Sequence, residues 1–305
     1  MKKRLNHICV ITITLCLSLL LVMPAFSQQP GPAKKPMPKM APLTIKPDPR
    51  AEQRKYHFED TNEDLGYVLY VSSKVSKDKK NPLIVALHGL GGDANFIVRD
   101  RLIDLAEEGG YIAVGPLGYN VGGWYGSPVV AFGGQPVEPP NLTELSEKDV
   151  MNVVAMMEKE FNIDKDRIYL LGHSMGGAGT LFLGEKYKEK WAAIAPIAPA
   201  AFMMLPKRAE ILTSLRDAKM PVFLVQGVQD TAVPIEYTRQ WVETMKELKM
   251  DYYYLEFPYG DHGTIIGDGM PEIFRFFAEY TKKGKIVKPK PKFPFGRKTP
   301  PASNQ

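Results

Sequence analysis

Short apolar stretches alternate with longer amphipathic ones along the middle of the chain. The apolar stretches predict strands, and the amphipathic ones predict helices. The predicted strands cover residues 67–71, 83–87, 111–114, 168–171, 192–197, 222–225 and 252–257. The predicted helices cover residues 97–108, 146–161, 175–188, 235–249 and 271–281. This alternation predicts an α/β fold with a mostly parallel central sheet and helices on both faces.

Turn residues and capping patterns indicate where some of these elements begin and end. A pair of glycines ends the helix over 97–108, and residues 115–142 are rich in Gly and Pro and predict a long loop. Ser146 is followed three residues later by Asp149, which is typical of a capping box. We therefore expect a helix to begin at Ser146.

The alternation stops at both ends of the chain, where proline is frequent. Residues 28–51 predict a Pro-rich disordered linker, and residues 285–305 predict a basic, disordered tail of Pro and Lys. A single folded domain is expected over residues 52–284.

The first 27 residues have the pattern of a secretory signal peptide. Three basic residues open the segment, an apolar run covers residues 8–23, and the small residues Ala25 and Ser27 provide a cleavage signal. The apolar run is short for a membrane span. We expect export to the periplasm or the extracellular space, with no stable membrane insertion after cleavage.

Charge and cysteine content narrow the classes of partner. Residues 1–40 and 282–305 carry fourteen of the 39 basic residues and no acidic ones, so residues 41–281 hold 25 basic and 34 acidic residues. A domain this acidic is a poor match for nucleic acid, whose phosphates need clustered cations. Both cysteines, Cys9 and Cys16, lie in the signal segment, so we expect no disulfides in the mature protein.

A G-x-S-x-G pentapeptide connects the strand at 168–171 to the helix at 175–188: Gly172-His173-Ser174-Met175-Gly176. This setting is typical of a nucleophile elbow, in which a tight turn exposes the serine hydroxyl. The glycines leave room for the backbone segments that approach the turn. Ser174 is therefore the candidate nucleophile.

Candidate partners of Ser174 follow two later strands. Asp230 follows the strand at 222–225, and His262 follows the strand at 252–257. An imidazole can accept and return a proton near neutral pH, and a carboxylate can orient it and stabilise its charged form. Asp261 directly precedes His262, but adjacent side chains diverge, so Asp230 is the preferred orienting acid. We expect the other two histidines at strand ends, His88 and His173, to be structural.

The order Ser174, Asp230, His262 is that of the α/β-hydrolase superfamily, which the sequence resembles over nearly all of residues 52–284. The stretch DKDRIYLLGHSMGG at 164–177 resembles secreted esterases of the polyhydroxybutyrate-depolymerase and feruloyl-esterase type. It equally resembles the catalytic domains of prolyl oligopeptidases.

The resemblance implies the α/β-hydrolase fold and a secreted serine hydrolase that cleaves carboxylic esters through a Ser-Asp-His triad and an acyl-enzyme. In this superfamily one oxyanion-hole amide comes from the loop after an early strand, here HGLGG at 88–92, and another from the residue after the nucleophile. These positions correspond to Leu90 and Met175. No cofactor and no metal are expected, because the sequence shows no metal-ligand cluster and no phosphate-binding loop.

Two regions bear on the substrate. Only 24 residues, 198–221, separate two predicted strands, which leaves no room for a large lid domain. The candidate substrate-binding residues are Phe202 in that segment and Trp124 and Tyr125 in the Gly-rich loop. The expected partner is an ester or peptide substrate, polymer-attached substrates included.

Two alternatives remain open. A peptidase similar to prolyl oligopeptidase would use the same residues, although residues 28–51 are too few for the propeller that usually precedes that domain. A binding protein with the same fold but no activity is the other alternative. All three triad positions are occupied by reactive residue types, which favours an enzyme.

Overall fold

The central sheet of the computed structural model has eight strands. The structure describes residue 43, residues 45–130 and residues 138–286. The strands are β1 (Glu52–Phe58), β2 (Glu63–Val71), β3 (Asn81–Leu87), β4 (Ile112–Pro116), β5 (Ile163–His173), β6 (Ala193–Ile197), β7 (Val222–Gly227) and β8 (Tyr252–Phe257). Their order is β1-β2-β4-β3-β5-β6-β7-β8. The pairs β1–β2 and β2–β4 are antiparallel and all the others are parallel, which confirms the predicted mostly parallel sheet.

Six α-helices of the described residues surround this sheet: α1 (Asp100–Gly109), α2 (Leu142–Glu160), α3 (Met175–Lys186), α4 (Arg208–Asp217), α5 (Ile235–Glu247) and α6 (Thr264–Ala278). Helix α1 packs on α6, while α4 packs on both α3 and α5. All residues of β3, β4, β6 and β7 are buried. Strands that are apolar throughout need cover on both faces, which these helices provide.

The carboxyl ends of the parallel strands meet at one edge of the sheet. Ligand sites in such sheets lie at this edge, where the loops that leave neighbouring strands converge. Ser174 follows β5, Asp230 follows β7 and His262 follows β8. The topology therefore brings the candidate residues to one side of the molecule.

The predicted helix start at Ser146 is wrong. Helix α2 begins at Leu142, and Ser146 lies inside it as a buried residue. Its hydroxyl accepts a hydrogen bond from the amide of Tyr125, in a separate loop. The Ser-x-x-Asp spacing therefore marks tertiary contacts of this helix and not its N-terminus.

Three further elements differ from the prediction. Strand β1 and helix α4 are not among the predicted elements, and α6 begins at Thr264 instead of residue 271. The loop that precedes α1 contains a short 3-10 helix at Ala94–Phe96. These differences add to the domain without changing its architecture.

The end of the predicted linker packs on the domain. The side chain of Asp48 is 5% exposed, pairs with Arg50 and accepts a hydrogen bond from the amide of Asp100 at 3.0 Å. The expectation of disorder is therefore wrong for residues 48–51. At the other end, β9 (Tyr280–Thr281) pairs with β10 (Gly284–Lys285).

All described residues belong to one compact unit. The predicted signal peptide at 1–27, most of the predicted linker and nearly all of the basic tail lie outside the described residues. In the part of the chain that is described, no helix is both long and apolar enough to span a bilayer.

Candidate active site

Ser174 occupies the turn between β5 and α3. Its φ and ψ of 58° and −114° are uncommon and strained for a residue with a side chain. Two glycines make the turn possible. A Cβ on Gly172 would lie 2.2 Å from the carbonyl oxygen of Gly176, and a Cβ on Gly176 would lie 2.3 Å from that of Leu87. The turn thus has the strand-before, helix-after setting that the pentapeptide predicts.

Backbone hydrogen bonds hold Ser174 against the end of β6. Its amide donates to the carbonyl of Ile197 at 2.9 Å, and its carbonyl accepts from the amide of Ala200 at 3.0 Å. Ser174 nevertheless keeps 9% of its surface exposed. The residue is fixed in place while remaining in contact with solvent.

Asp230 and His262 meet at this edge although they lie 32 residues apart in the sequence. The Nδ1 of His262 lies 2.7 Å from Oδ2 of Asp230. The side chain of Asp230 is fully buried, whereas that of His262 is 27% exposed. The carboxylate therefore orients an imidazole whose other face reaches solvent.

The surroundings of Asp230 keep it ionised. Burial by itself would raise the pKa of Asp230, but hydrogen bonds from His262 and from the amides of Val233 and Ala232 outweigh that effect and lower the pKa. The two amides donate to Oδ1 at 2.8 and 2.9 Å. A charged Asp230 can stabilise a proton on His262.

Two amides near Ser174 are available to an anionic oxygen. In the loop after β3, the amide of Gly91 donates to the carbonyl of Val121 at 2.8 Å, which fixes that loop. Among the described residues, no oxygen accepts a hydrogen bond from the amide of Leu90. Met175 is the first residue of α3, so its amide has no acceptor within the helix.

The structure buries the two aromatic residues predicted to face a substrate from the Gly-rich loop. Trp124 is 3% exposed and Tyr125 is fully buried. The Tyr125 hydroxyl donates to the carbonyl of His88 at 3.3 Å, and burial raises the pKa of this phenol. The expectation of aromatic faces at the rim is corrected for both: they anchor the loop from inside.

A buried carboxylate that the sequence did not assign to the site holds the same loop. Asp149 of α2 accepts hydrogen bonds from the amides of Gly118 and Tyr119 at 2.6 and 3.0 Å and from the Tyr56 hydroxyl at 2.6 Å. Burial raises the pKa of Asp149, and the three hydrogen bonds oppose this. The capping-box spacing singled out Asp149 but gave it the wrong partners.

Phe202 and His88 differ in their burial and in their partners. Phe202 is half-buried and packs edge-on against Tyr237 with ring centroids 4.7 Å apart. His88 is fully buried, and its Nδ1 and Nε2 each lie 2.8 Å from a carbonyl oxygen, of Gly89 and Leu117. Burial lowers the pKa of His88. Its position agrees with a structural role, and Phe202 stays a candidate for substrate contact.

No group of three or more His, Cys, Asp or Glu side chains that could hold a metal occurs within residues 45–130 and 138–286.

Comparison with known proteins identifies relatives. The model of the Esterase family matches residues 59–264, more than half of the chain. Feruloyl esterase B of Neurospora crassa is 31% identical over 140 residues, which is 44% of each chain. A bifunctional acetylxylan esterase/xylanase of Neocallimastix patriciarum is 25% identical over 184 residues, covering 60% of this chain and 24% of the relative. The chain spans less than half the length of either relative.

Solved structures share the fold at lower sequence identity. An S-formylglutathione hydrolase from Agrobacterium tumefaciens superimposes with a TM-score of 0.61 at 17% identity, over 79% of this chain and 99% of that one. A ferulic acid esterase from Anaeromyces mucronatus gives a TM-score of 0.58 at 18% identity, over 78% and 98%. These likenesses establish the α/β-hydrolase fold.

Proposed function

We propose that this protein, which belongs to the Esterase family, is a carboxylic ester hydrolase that acts through Ser174, Asp230 and His262. The observation that carries the proposal is the hydrogen bond of 2.7 Å between the buried Asp230 and the partly exposed His262. This pair lies at the same sheet edge as a serine in a strained elbow.

The mechanism follows from these contacts. His262 Nε2 takes the proton of the Ser174 hydroxyl as its oxygen attacks the substrate carbonyl, and Asp230 stabilises the imidazolium that forms. The amides of Leu90 and Met175 bind the resulting oxyanion. The tetrahedral intermediate then breaks its bond to the leaving alcohol, which departs with the proton from His262. Water, activated by the same imidazole, clears the acyl-enzyme.

Esters are the proposed substrates rather than peptides. The names of the relatives point to feruloyl and acetyl esters. Residues 198–221, which could have formed a lid, instead form a short 3-10 helix and α4, and α4 packs on the domain through Leu212 and Leu215. The site therefore has no lid domain among the described residues to enclose a peptide.

Apolar side chains around the same edge suit a bulky or polymer-attached ester. Among the described residues, three of the exposed large apolar side chains, Met203, Val228 and Tyr259, lie just after β6, β7 and β8. A fourth, Tyr237, contacts Phe202. Exposed apolar groups gathered around a site indicate contact with an apolar partner.

Two measurements test the proposed activity. A fluorophosphonate probe should label the wild-type protein at Ser174, and Ser174→Ala should abolish labelling and reduce kcat by several orders of magnitude with Tm almost unchanged. Substantial activity of the purified Ser174→Ala variant would refute the assignment.

A panel of substrates tests which class of compound the enzyme cleaves. We expect a higher kcat/KM on short-chain or aromatic esters, such as feruloyl and p-nitrophenyl esters, than on any aminoacyl-anilide. Faster turnover of a peptide anilide than of every ester would support the peptidase alternative. Failure to label Ser174 or to turn over any substrate would support the non-catalytic alternative.

Export is proposed from the signal pattern of residues 1–27. Mass spectrometry of the protein expressed with its own N-terminus in a bacterial host should find a chain that begins at about residue 28 in the exported fraction. An intact N-terminus there would contradict cleavage.

A further inference from the structure

His173 lies at the end of β5, directly before Ser174, and contacts the loops that follow β3 and β8. Its side chain is almost fully buried, and its Nε2 lies 2.7 Å from the carbonyl oxygen of His262. The two imidazole rings have centroids 4.4 Å apart. On its other side the His173 ring stacks on Phe96 at 5.6 Å.

The hydrogen bond fixes the tautomer of His173. A carbonyl oxygen only accepts, so Nε2 carries the proton and Nδ1 carries a lone pair. This Nδ1 is buried and has no hydrogen-bond partner among the described residues. It faces the loop after β3, where a Cβ on Gly89 would lie only 3.1 Å away. Burial first, and then the neighbouring His262, lower the pKa of His173 to about 3.

We propose that His173 is a positioning residue for the catalytic base: its Nε2–H holds the carbonyl of His262, and so keeps the His262 imidazole between Asp230 and Ser174. The inference rests on the proposed function, because it assigns His173 a role through the base of that reaction. The sequence assigned His173 to packing alone.

The loop that carries His262 needs such a contact. Asp230 holds only Nδ1 of the ring. The carbonyl of Gly260 accepts from the amide of Gln229 at 3.0 Å, which anchors the loop before His262. Asp261 accepts from the amides that begin α6. Among the residues that the structure describes, the hydrogen bond from His173 is the one that reaches the backbone of His262 itself.

A neutral neighbour also suits a base that gains and loses a proton in each turnover. Within the described part of the chain, the ionisable groups that face His262 are Asp230 from the loop after β7, His173 from β5 and the exposed Asp261 on its own loop. A second imidazolium 4.4 Å away would oppose protonation of His262. Because His173 stays neutral, it can contact His262 closely without this cost.

A matched pair of variants in the full-length protein separates positioning from packing. His173→Gln places an amide N–H near the position of Nε2, whereas His173→Met has a similar length, packs well on an aromatic ring and has no donor. We expect His173→Met to lower kcat about 10- to 100-fold with KM changed little, since small misplacements of a catalytic group have effects of this size. His173→Gln should recover most of the loss.

The acidic limb of the kcat/KM–pH profile provides a second readout, because it reports protonation of the free enzyme's base. We expect it to shift in His173→Met and to lie near that of the wild type in His173→Gln. Equal kcat in the wild type and His173→Met, or equal losses in both variants with unchanged pH profiles, would overturn the proposal. Active sites are counted by fluorophosphonate titration, so that misfolded protein does not enter kcat.

Nitrogen-15 NMR of the wild-type imidazoles tests the inference without any variant. The chain has five histidines, so their resonances can be assigned by single substitutions. We expect His173 to be the Nε2–H tautomer and to stay neutral through the pH range in which the enzyme is active. A proton on Nδ1, or titration within that range, would refute the positioning role even if His173→Met does not fold. A wild type without activity towards any ester refutes the proposed function instead.

Discussion

Replacing Asp230 with Asn isolates the charge of the orienting acid, because the two side chains have nearly the same shape. In the wild type, Oδ1 accepts from the amides of Ala232 and Val233. Oδ2 accepts from His262 Nδ1 at 2.7 Å and from Gln226 Nε2 at 3.4 Å. All four partners donate. An asparagine has only one accepting oxygen, so it cannot satisfy both sets of donors.

The arrangement determines which way the asparagine turns. Its oxygen should stay with the two backbone amides, because the reverse orientation would set an NH₂ group against two N–H donors. The NH₂ group then donates to Nδ1 of His262, which moves the imidazole proton to Nε2. That nitrogen can no longer accept the proton of Ser174. We therefore expect the fold to persist with the base in the wrong tautomer.

The expected loss in kcat is about 10⁴-fold, as when this carboxylate becomes an amide in other serine hydrolases. It corresponds to about 5.4 kcal/mol of transition-state stabilisation. The assay is kcat on a p-nitrophenyl ester, with the folded fraction of each variant checked by circular dichroism and Tm. The matched control is Asp268→Asn on the exposed face of α6, which should keep wild-type activity. A larger loss in Asp261→Asn or Asp268→Asn than in Asp230→Asn would refute the assignment.

Three other predictions concern the stability of the fold and the ends of the chain. Gly172→Ala should prevent folding, because its Cβ would meet a carbonyl oxygen at 2.2 Å. In Gly267→Ala of α6 the new Cβ meets nothing within 4 Å, so the free energy of unfolding in urea titrations should rise by about 0.5–1 kcal/mol. A Gly172→Ala variant more stable than Gly267→Ala would contradict this. Hydrogen bonding to Arg50 holds the pKa of Asp48 well below its ordinary value. Ionised Asp48 therefore stabilises the fold above about pH 4, and this stabilisation is lost as the pH falls through the pKa that Asp48 has in the folded protein. Tm should drop less at acid pH in Asp48→Asn than in the wild type, and parallel curves of Tm against pH would contradict this. A chain of residues 43–286 should keep kcat on a small ester within about twofold, and a large loss of folding would show that an end docks on the domain.

The sequence predicted the elements whose residues are buried on both sides and missed those that depend on distant partners. Strand β3 is apolar at nearly every position and was recognised, but β1 has a charged, mostly exposed sequence and becomes a strand only by pairing with β2. Helix α4 buries only Leu212 and Leu215, which leaves a weak amphipathic pattern. Local patterns carry little information about such elements.

The same distinction applies to the site. Ser174, Asp230 and His262 were found because each directly follows a predicted strand, and parallel strand ends share one edge. The roles of Asp149 and His173 were missed because their partners are backbone groups at positions 118–119 and 262, which no motif connects to them. Trp124 and Tyr125 were placed on the surface because a Gly-rich loop is normally exposed, but Asp149 and Ser146 bind this loop to α2.

The hydrogen bond from Tyr56 to Asp149 links the outermost strand, β1, to a buried residue of α2. In the described sheet, strand β1 has a neighbour on one side only, and such strands are normally the first to detach in brief opening events. Detachment here would remove the Tyr56 hydroxyl from a carboxylate buried in the interior. We therefore expect the amides of β1 and of residues 118–119 to exchange with solvent deuterium in a single cooperative step. Because β1 then stays paired with β2, strands of other molecules cannot pair with that side of β2 and start aggregation there.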